Sequence, residues 1–190
     1  MNPTGSGFRR LAEREVHAGR IWRVVVGTYE GPDGSTFERD VVRSPGAVGI
    51  VPVLFDAEGT PSVVLVRQYR PALDVVLLEI PAGMRDVDGE PPDVTAAREL
   101  AEETGFAPGR LDLLTMFHNS AGMTDATTHV YLATDLRVVP PHAHGPEEEA
   151  MTMEQVPLAD AVERVITGDI TDAKTVIGLL LTDRRLAAEE

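Results

Sequence analysis

The order of elements that the sequence predicts is that of an α+β fold, a layered sandwich of helices around a mixed sheet. Three observations lead there. Strand-like segments occupy the chain on both sides of one short, acid-rich helix between Thr95 and Thr104. Two of those segments, Gly46 to Phe55 and Ser62 to Arg70, are apolar enough to be central strands. Two amphipathic helical segments then close the chain. With 190 residues and 43% hydrophobic content, one domain with an ample core is expected.

In chain order, residues 1–15 read as a flexible arm and 16–190 as a single domain. Ile21 to Val42 carries β-branched and aromatic residues on both sides of a Gly-Pro-Asp-Gly turn, which predicts a hairpin within 16–45. Trp22, the only tryptophan, has packing in the core or hairpin as its ordinary role. Stacking on a nucleobase and burial in a dimer interface are the functional alternatives. The polar turn DAEGTP joins the two central strands. A short strand is expected over Leu77 to Gly83, further strands over Leu111 to Phe117, Thr128 to Leu136 and Met151 to Val156. Helices are expected from Leu158 to about Ile166 and from about Asp172 to Leu186, the second burying Val176, Ile177, Leu180 and Leu181. Val138 to Ala150 is the longest irregular stretch, rich in Pro, His and Glu, and long loops of that kind often carry function.

Composition excludes several classes. A formal charge of -14 argues against a general binder of nucleic acid or anionic membrane. No apolar run reaches the length needed to span a bilayer, and MNPTGSGFRR has no apolar signal core, so a cytoplasmic location is expected. The absence of cysteine removes disulfides and thiolate metal sites. The five histidines show no ligand spacing.

The chemistry concentrates between Gly83 and Phe106. Pro91 and Pro92 bar helix before them, Asp93 is the expected N-cap, and Gly105 ends the helix in the left-handed conformation with Phe106 closing on Leu100 or Ala101. Glu99, Glu102 and Glu103 fall on one side of a single turn and repel one another. A divalent cation relieves that repulsion, and hard carboxylate oxygens suit Mg²⁺ or Mn²⁺ better than Zn²⁺. Read alone, the same cluster is a solvated acidic face with an Arg98–Glu102 surface pair.

The spacing decides between these readings. Six residues separate Gly83 from Glu90, seven separate Glu90 from Arg98, and Arg98-Glu99-Leu100-Ala101-Glu102-Glu103-Thr104-Gly105-Phe106 follows. This resembles the signature of the Nudix hydrolases, departing from it by one extra loop residue and by an aromatic Phe106 in place of an aliphatic. The resemblance implies the Nudix fold, an α/β/α sandwich with an N-terminal hairpin, and hydrolysis of a nucleoside diphosphate linked to another moiety. It implies one to three Mg²⁺ held by Glu99, Glu102, Glu103 and the Ala82 carbonyl, and Arg98 as a structural residue that holds the loop through Glu90. Glu102 and Glu103 with Arg98 thereby belong to the catalytic set.

VRQYRPA from Val66, EIPAGM from Glu79, SAGMTD from Ser120 and GDITDAKTVIGL from Gly168 narrow the resemblance to the ADP-ribose pyrophosphatase branch, over about residues 20–185. That branch implies substrate contact by Arg67 and less directly Arg70, contact near Gly122, and a homodimer formed through the N-terminal hairpin. It also implies an acid on a loop that acts on the attacking water. Glu148 matches best, with Glu147 and Glu149 beside it. Ala121 and Ala126 stand where the branch commonly has a Pro and an acid, which predicts relaxed preference for ADP-ribose among nucleoside diphosphate sugars. Two other functions fit the same fold. A catalytically silent nucleotide-binding regulator has no need of the repelling carboxylates, and a triphosphate-sanitising enzyme is disfavoured by the N-terminal hairpin and the RQYR and EIPAG features.

Overall fold

The computed structural model describes residues 7–140 and 150–188, which fall into two units. The first contains the N-terminal segment to Gly46 together with His118–Thr127, and the second contains Ala47–Phe117 and Thr128 onward.

In the first unit β1 (Arg9–Ala18), β2 (Arg23–Glu30) and β3 (Thr36–Arg43) form an antiparallel sheet in the order β1-β2-β3. The β2–β3 hairpin turns at Gly31–Ser35, where the Asp33 carboxylate accepts from the Ser35 backbone N–H at 3.0 Å and from its hydroxyl at 2.6 Å. Tyr29 stacks on Phe37 with ring centroids 5.6 Å apart, and Phe8 meets Phe37 edge-on. The hairpin is therefore as expected, but residues 9–15 are not an arm. They are strand, and every residue of β1 is exposed. Backbone pairing to β2 and the ion pairs Arg9–Glu30, Arg23–Glu15 and Arg43–Glu13 hold it, so it carries no buried alternation for a sequence reading to detect.

In the second unit β4 (Ala47–Phe55), β5 (Pro61–Arg70), β9 (Arg110–His118), β10 (Thr127–Thr134) and β12 (Thr152–Pro157) run in the order β12-β5-β4-β10-β9. The sheet is mixed, with β4 parallel to β10 and antiparallel to β5. Strand alternation divides the core. Val48 and Ile50 of β4 join Tyr131 and Ala133 of β10 on one face, where Ala96 and Leu100 of helix α1 (Pro92–Thr104) cover them. Val51 and Val53 join Val130 and Leu132 on the other, against Leu158 and Ala161 of α2 (Leu158–Thr167) and Leu179 of α3 (Ala173–Leu186). Helices on both faces of a mixed sheet are the expected sandwich. Phe106–Ala107 (β8) and Arg137–Val138 (β11) form a small separate antiparallel pair.

Three expectations need correction. The strand expected over Leu77 to Gly83 is two strands, β6 (Val75–Glu79) on β5 and β7 (Ala82–Met84) on β4. The chain changes partner at Ile80–Pro81, where Pro81 offers no N–H and its carbonyl accepts from Ile50 at 2.9 Å. Helix α1 begins at Pro92, and Asp93 lies in its first turn instead of capping it. Proline is well suited to a first helical position because its φ is preset and its missing N–H is not needed there. In α3 the buried positions are Thr175, Gly178, Leu179 and Thr182, while Leu180 and Leu181 are 42% and 36% exposed. A Cβ on Gly178 would stand 2.9 Å from a Val51 methyl, so the helix lies against the sheet on Gly178 beside the buried Leu179, and Leu180 and Leu181 turn outward.

Candidate active site

Helix α1 carries its carboxylates toward β7 and the loop that precedes the helix. Arg98 lies among them: it reaches Glu90 at 3.1 Å, Glu99 at 2.9 Å and Glu102 at 3.0 Å. Hydrogen bonding to Glu90 is the main reason its guanidinium is held even more firmly charged than usual, and the same contact holds the Glu90 carboxyl below its ordinary range. Arg98 thus contacts both the loop, at Glu90, and two of the three expected metal ligands on the helix.

Gly83 and Ala82 meet that cluster from the sheet side. A Cβ on Gly83 would fall 1.9 Å from the Glu99 carboxyl carbon, so the glycine is required by a close approach and not by its φ. The Ala82 backbone N–H donates to Glu103 at 3.0 Å. The glycine that opens the signature lies against Glu99 of the helix, sixteen residues later in the sequence.

Beside this lies a charged group that the sequence reading missed. Glu79 is 1% exposed, and Arg70 grips it with two hydrogen bonds of 2.7 and 2.5 Å while Lys174 pairs with the same carboxylate. Burial pushes the Glu79 carboxyl up, but the two cations outweigh burial and hold it below its ordinary value. Lys174 also meets Asp172 at 3.0 Å, and the Asp172 side chain caps α3 by accepting from the Thr175 N–H and hydroxyl. The Thr175 hydroxyl oxygen in turn accepts from Ile80 N–H at 2.9 Å. The sequence signal was a single acid inside the apolar run LLEIP, which alternation alone does not mark as functional.

The expected substrate contacts are divided between the units. In the second, Arg67 pairs with Glu154 at 2.6 Å, a carboxylate it shares with Arg164, and Arg70 is committed to Glu79. In the first, Trp22 is 56% exposed beside Ile21, Val24 and Val42 at a cavity of about 400 Å³, so it does not fill a core. Gly122 lines a second cavity of about 330 Å³ with Tyr29, Arg43 and Met123. Its loop is stitched to β3 by Val42 N–H to the Met123 carbonyl, by the Thr124 hydroxyl to the Val42 carbonyl, and by Asp125 accepting from Arg43 at 3.0 Å and from Ser44 N–H.

Ala126 is only 6% exposed, so a side-chain acceptor there would be buried, and the loop's own acid, Asp125, is spent on Arg43 and Ser44. Glu147, Glu148 and Glu149 lie outside the described residues.

Among the described residues no three His, Cys, Asp or Glu side chains stand together as a preassembled ligand set. The donors nevertheless fit a hard divalent cation in kind. Three carboxylates issue from one helical turn, one of them nested over Gly83, and Arg98 supplies the positive charge against two of them.

The NUDIX domain model matches residues 43–176. An ADP-ribose pyrophosphatase of Bacillus subtilis is 33% identical over 171 residues, covering 90% of each chain. An ADP-ribose pyrophosphatase of Mycobacterium tuberculosis is 39% identical over 174 residues, covering 91% of this chain and 82% of the relative. Among solved structures an ADP compounds hydrolase superposes with a TM-score of 0.82 at 24% identity, covering 96% of this chain and 95% of its own. No helix among the described residues is long and apolar enough to cross a membrane. Signature spacing, the contact of Glu99 with Gly83 and the family match agree, and the chain belongs to the Nudix hydrolases.

Proposed function

We propose that this Nudix hydrolase cleaves the pyrophosphate bond of ADP-ribose or a closely related nucleoside diphosphate sugar, with Mg²⁺ as its cation and Mn²⁺ able to replace it. Water adds its oxygen to one phosphorus, the bridging P–O bond breaks, and AMP and a sugar phosphate leave. The observation that carries this reading is the Glu99 carboxylate lying over Gly83, which joins signature loop and signature helix at one point. When bound, the cation neutralises charge that develops on the phosphoryl oxygens and lowers the pKa of a water.

The chain's own residues do the rest. Glu99, Glu102 and Glu103 supply the anionic cradle, with the Ala82 carbonyl as a further oxygen. Arg98 fixes the rotamers of that cradle through Glu90 and balances its charge. Glu148, or its neighbours Glu147 and Glu149, serves as the base that orients the attacking water. Substrate anion is met by Arg67, while Trp22 and Gly122, each lining a cavity of the first unit, serve as contacts for the nucleoside or sugar. Both relatives named ADP-ribose pyrophosphatase align over most of their length, which supports ADP-ribose as the first substrate to test.

Incubation with Mg²⁺ and a panel of ADP-ribose, other nucleotide sugars, dinucleotides and nucleoside triphosphates, with products separated by chromatography, tests this directly. AMP and ribose 5-phosphate from ADP-ribose are expected. Cleavage of triphosphates alone, or binding of ADP-ribose without turnover, would replace this reading by the sanitising or the regulatory one.

A further inference from the structure

Three elements of the first unit meet on the guanidinium of Arg43. From β3 its Nε and Nη2 donate to Glu13 of β1, and its Nη1 donates to Asp125, in the loop before β10, at 3.0 Å. The Arg43 side chain is 17% exposed. The other Asp125 oxygen accepts from the Ser44 N–H at 3.2 Å, so consecutive residues hold both oxygens of one carboxylate. The loop is also closed on itself. Met123 and Thr124 N–H both donate to the Ser120 carbonyl at 2.9 Å, and the same two residues are bonded to Val42. Those bonds fix the base of the turn. Its tip is held from elsewhere: Ala121 and Gly122 are exposed, and a Cβ on Gly122 would meet no described atom within 4 Å beyond its chain neighbours. Arg43 and Asp125 together line two cavities, the one that Gly122 also lines and another of about 290 Å³ with Ile21, Arg23 and Pro45.

We infer that Arg43 is a positioning residue for substrate: by holding Asp125 against β3 it sets the orientation of the Ala121–Gly122 tip, and through that tip the affinity for the nucleoside diphosphate sugar. The inference rests on the reading of Gly122 as a substrate contact. A guanidinium suits the task because its nitrogens form a rigid fork, so Glu13 and Asp125 are held at once and the loop takes its position from two strands. An ammonium keeps the charge but lacks the fork. Asp125 is matched in the same way. An amide in its place would turn an NH₂ toward one of two donors, Arg43 or the Ser44 N–H. Position and charge make opposite demands here, because Asp125 has the same sign as a pyrophosphate and its neutralisation would by charge alone favour binding.

That opposition of sign supplies the test. kcat and KM for ADP-ribose at saturating Mg²⁺ are measured for the full-length protein, for Asp125→Asn, for Arg43→Lys and for the double variant. Thermal unfolding reports the fold, and amide hydrogen exchange reports the loop. Each single variant is expected to raise KM by about fivefold or more with kcat within about twofold of native, although neither takes positive charge away from the substrate's surroundings. The double variant should be no weaker than the weaker single one, since either substitution already breaks the same link. Exchange across residues 120–126 should quicken in all three while β4 is unchanged. Arg9→Gln, which removes an ion pair of β1 that does not involve the loop, should keep the native KM. A lowered KM in Asp125→Asn would put charge in place of position and overturn the inference. Native KM in Arg43→Lys, or additive losses in the double variant, would overturn it too, and a lowered unfolding midpoint with native KM marks a scaffold. Where Arg43→Lys does not fold, Asp125→Asn, which leaves the Glu13–Arg43 pair in place, carries the comparison alone. Absence of ADP-ribose turnover by the native protein counts against the proposed function instead, and exchange in the loop then decides whether Arg43 holds it.

Discussion

A single methyl group measures how closely the signature loop meets the helix. In Gly83→Ala the added Cβ cannot coexist with the present Glu99 rotamer, and the carboxylate, as the movable end of a side chain, must give way. Thermal unfolding should change little, whereas kcat/KM should fall by about tenfold or more as one cation ligand is displaced. A variant with native kcat/KM would separate Glu99 from catalysis. Glu103→Gln tests the neighbouring ligand: it keeps an acceptor for Ala82 N–H but removes the charge, so turnover should drop by about two powers of ten or more at saturating Mg²⁺ with the fold intact. Ala126 imposes a different lesson at this scale. Ala126→Glu, which would restore the acid common in the branch, buries a carboxylate and should unfold the loop before it alters selectivity. The relaxed preference among nucleotide sugars is better tested at exposed Ala121, by comparing kcat/KM for ADP-ribose and a second nucleotide sugar in Ala121→Pro.

At the scale of elements, α3 is fitted to the sheet by what it lacks. Gly178 lets the helix close on Val51, Val130 and Ile80, and a larger side chain has nowhere to go without moving that core. Gly178→Val should destabilise the protein by about 1–3 kcal/mol, read from denaturant unfolding, despite replacing a poor helix former. Gly178→Ala is a finer balance, since about 1 kcal/mol of helix propensity opposes the overpacking. The cap at the other end of the helix has a separate role. Asp172 holds both the first turn and Lys174, so Asp172→Ala should cost about 1–2 kcal/mol and unfold α3 ahead of the sheet in hydrogen exchange.

For the whole molecule, charge sets the response to acid. Glu79 and Glu90 in the second unit and Glu13 in the first are all held below their ordinary value of 4.5 by arginine or lysine partners. A carboxyl whose pKa is depressed on folding contributes stability that is complete above its unfolded value and is lost as pH falls through the folded one. Unfolding midpoints should therefore drop as pH falls below about 4.5, and Glu79→Gln should flatten that acid limb. Association belongs to this scale as well. The homodimer expected through the N-terminal hairpin is tested by sedimentation, and only monomer at micromolar concentration would rule it out.

The sequence by itself determined the α+β class, the hairpin, the central strands, the acid helix and the family, because each is written in local periodicity or in a fixed spacing of chemically distinctive residues. Glu90, Arg98, Glu99, Glu102 and Glu103 are legible since a single loop and helix carry them all. What only the tertiary structure decided are the relations between distant segments. Glu79 is an unremarked acid until Lys174, ninety-five residues later, is seen to share it with Arg70. β1 is invisible to periodicity since none of its residues is buried, and the outward turn of Leu180 and Leu181 depends on how near a sheet can come to Gly178. Local patterns encode which face of an element is apolar, but which face reaches the core, and which charges share a buried partner, is settled only when the whole chain packs at interior density.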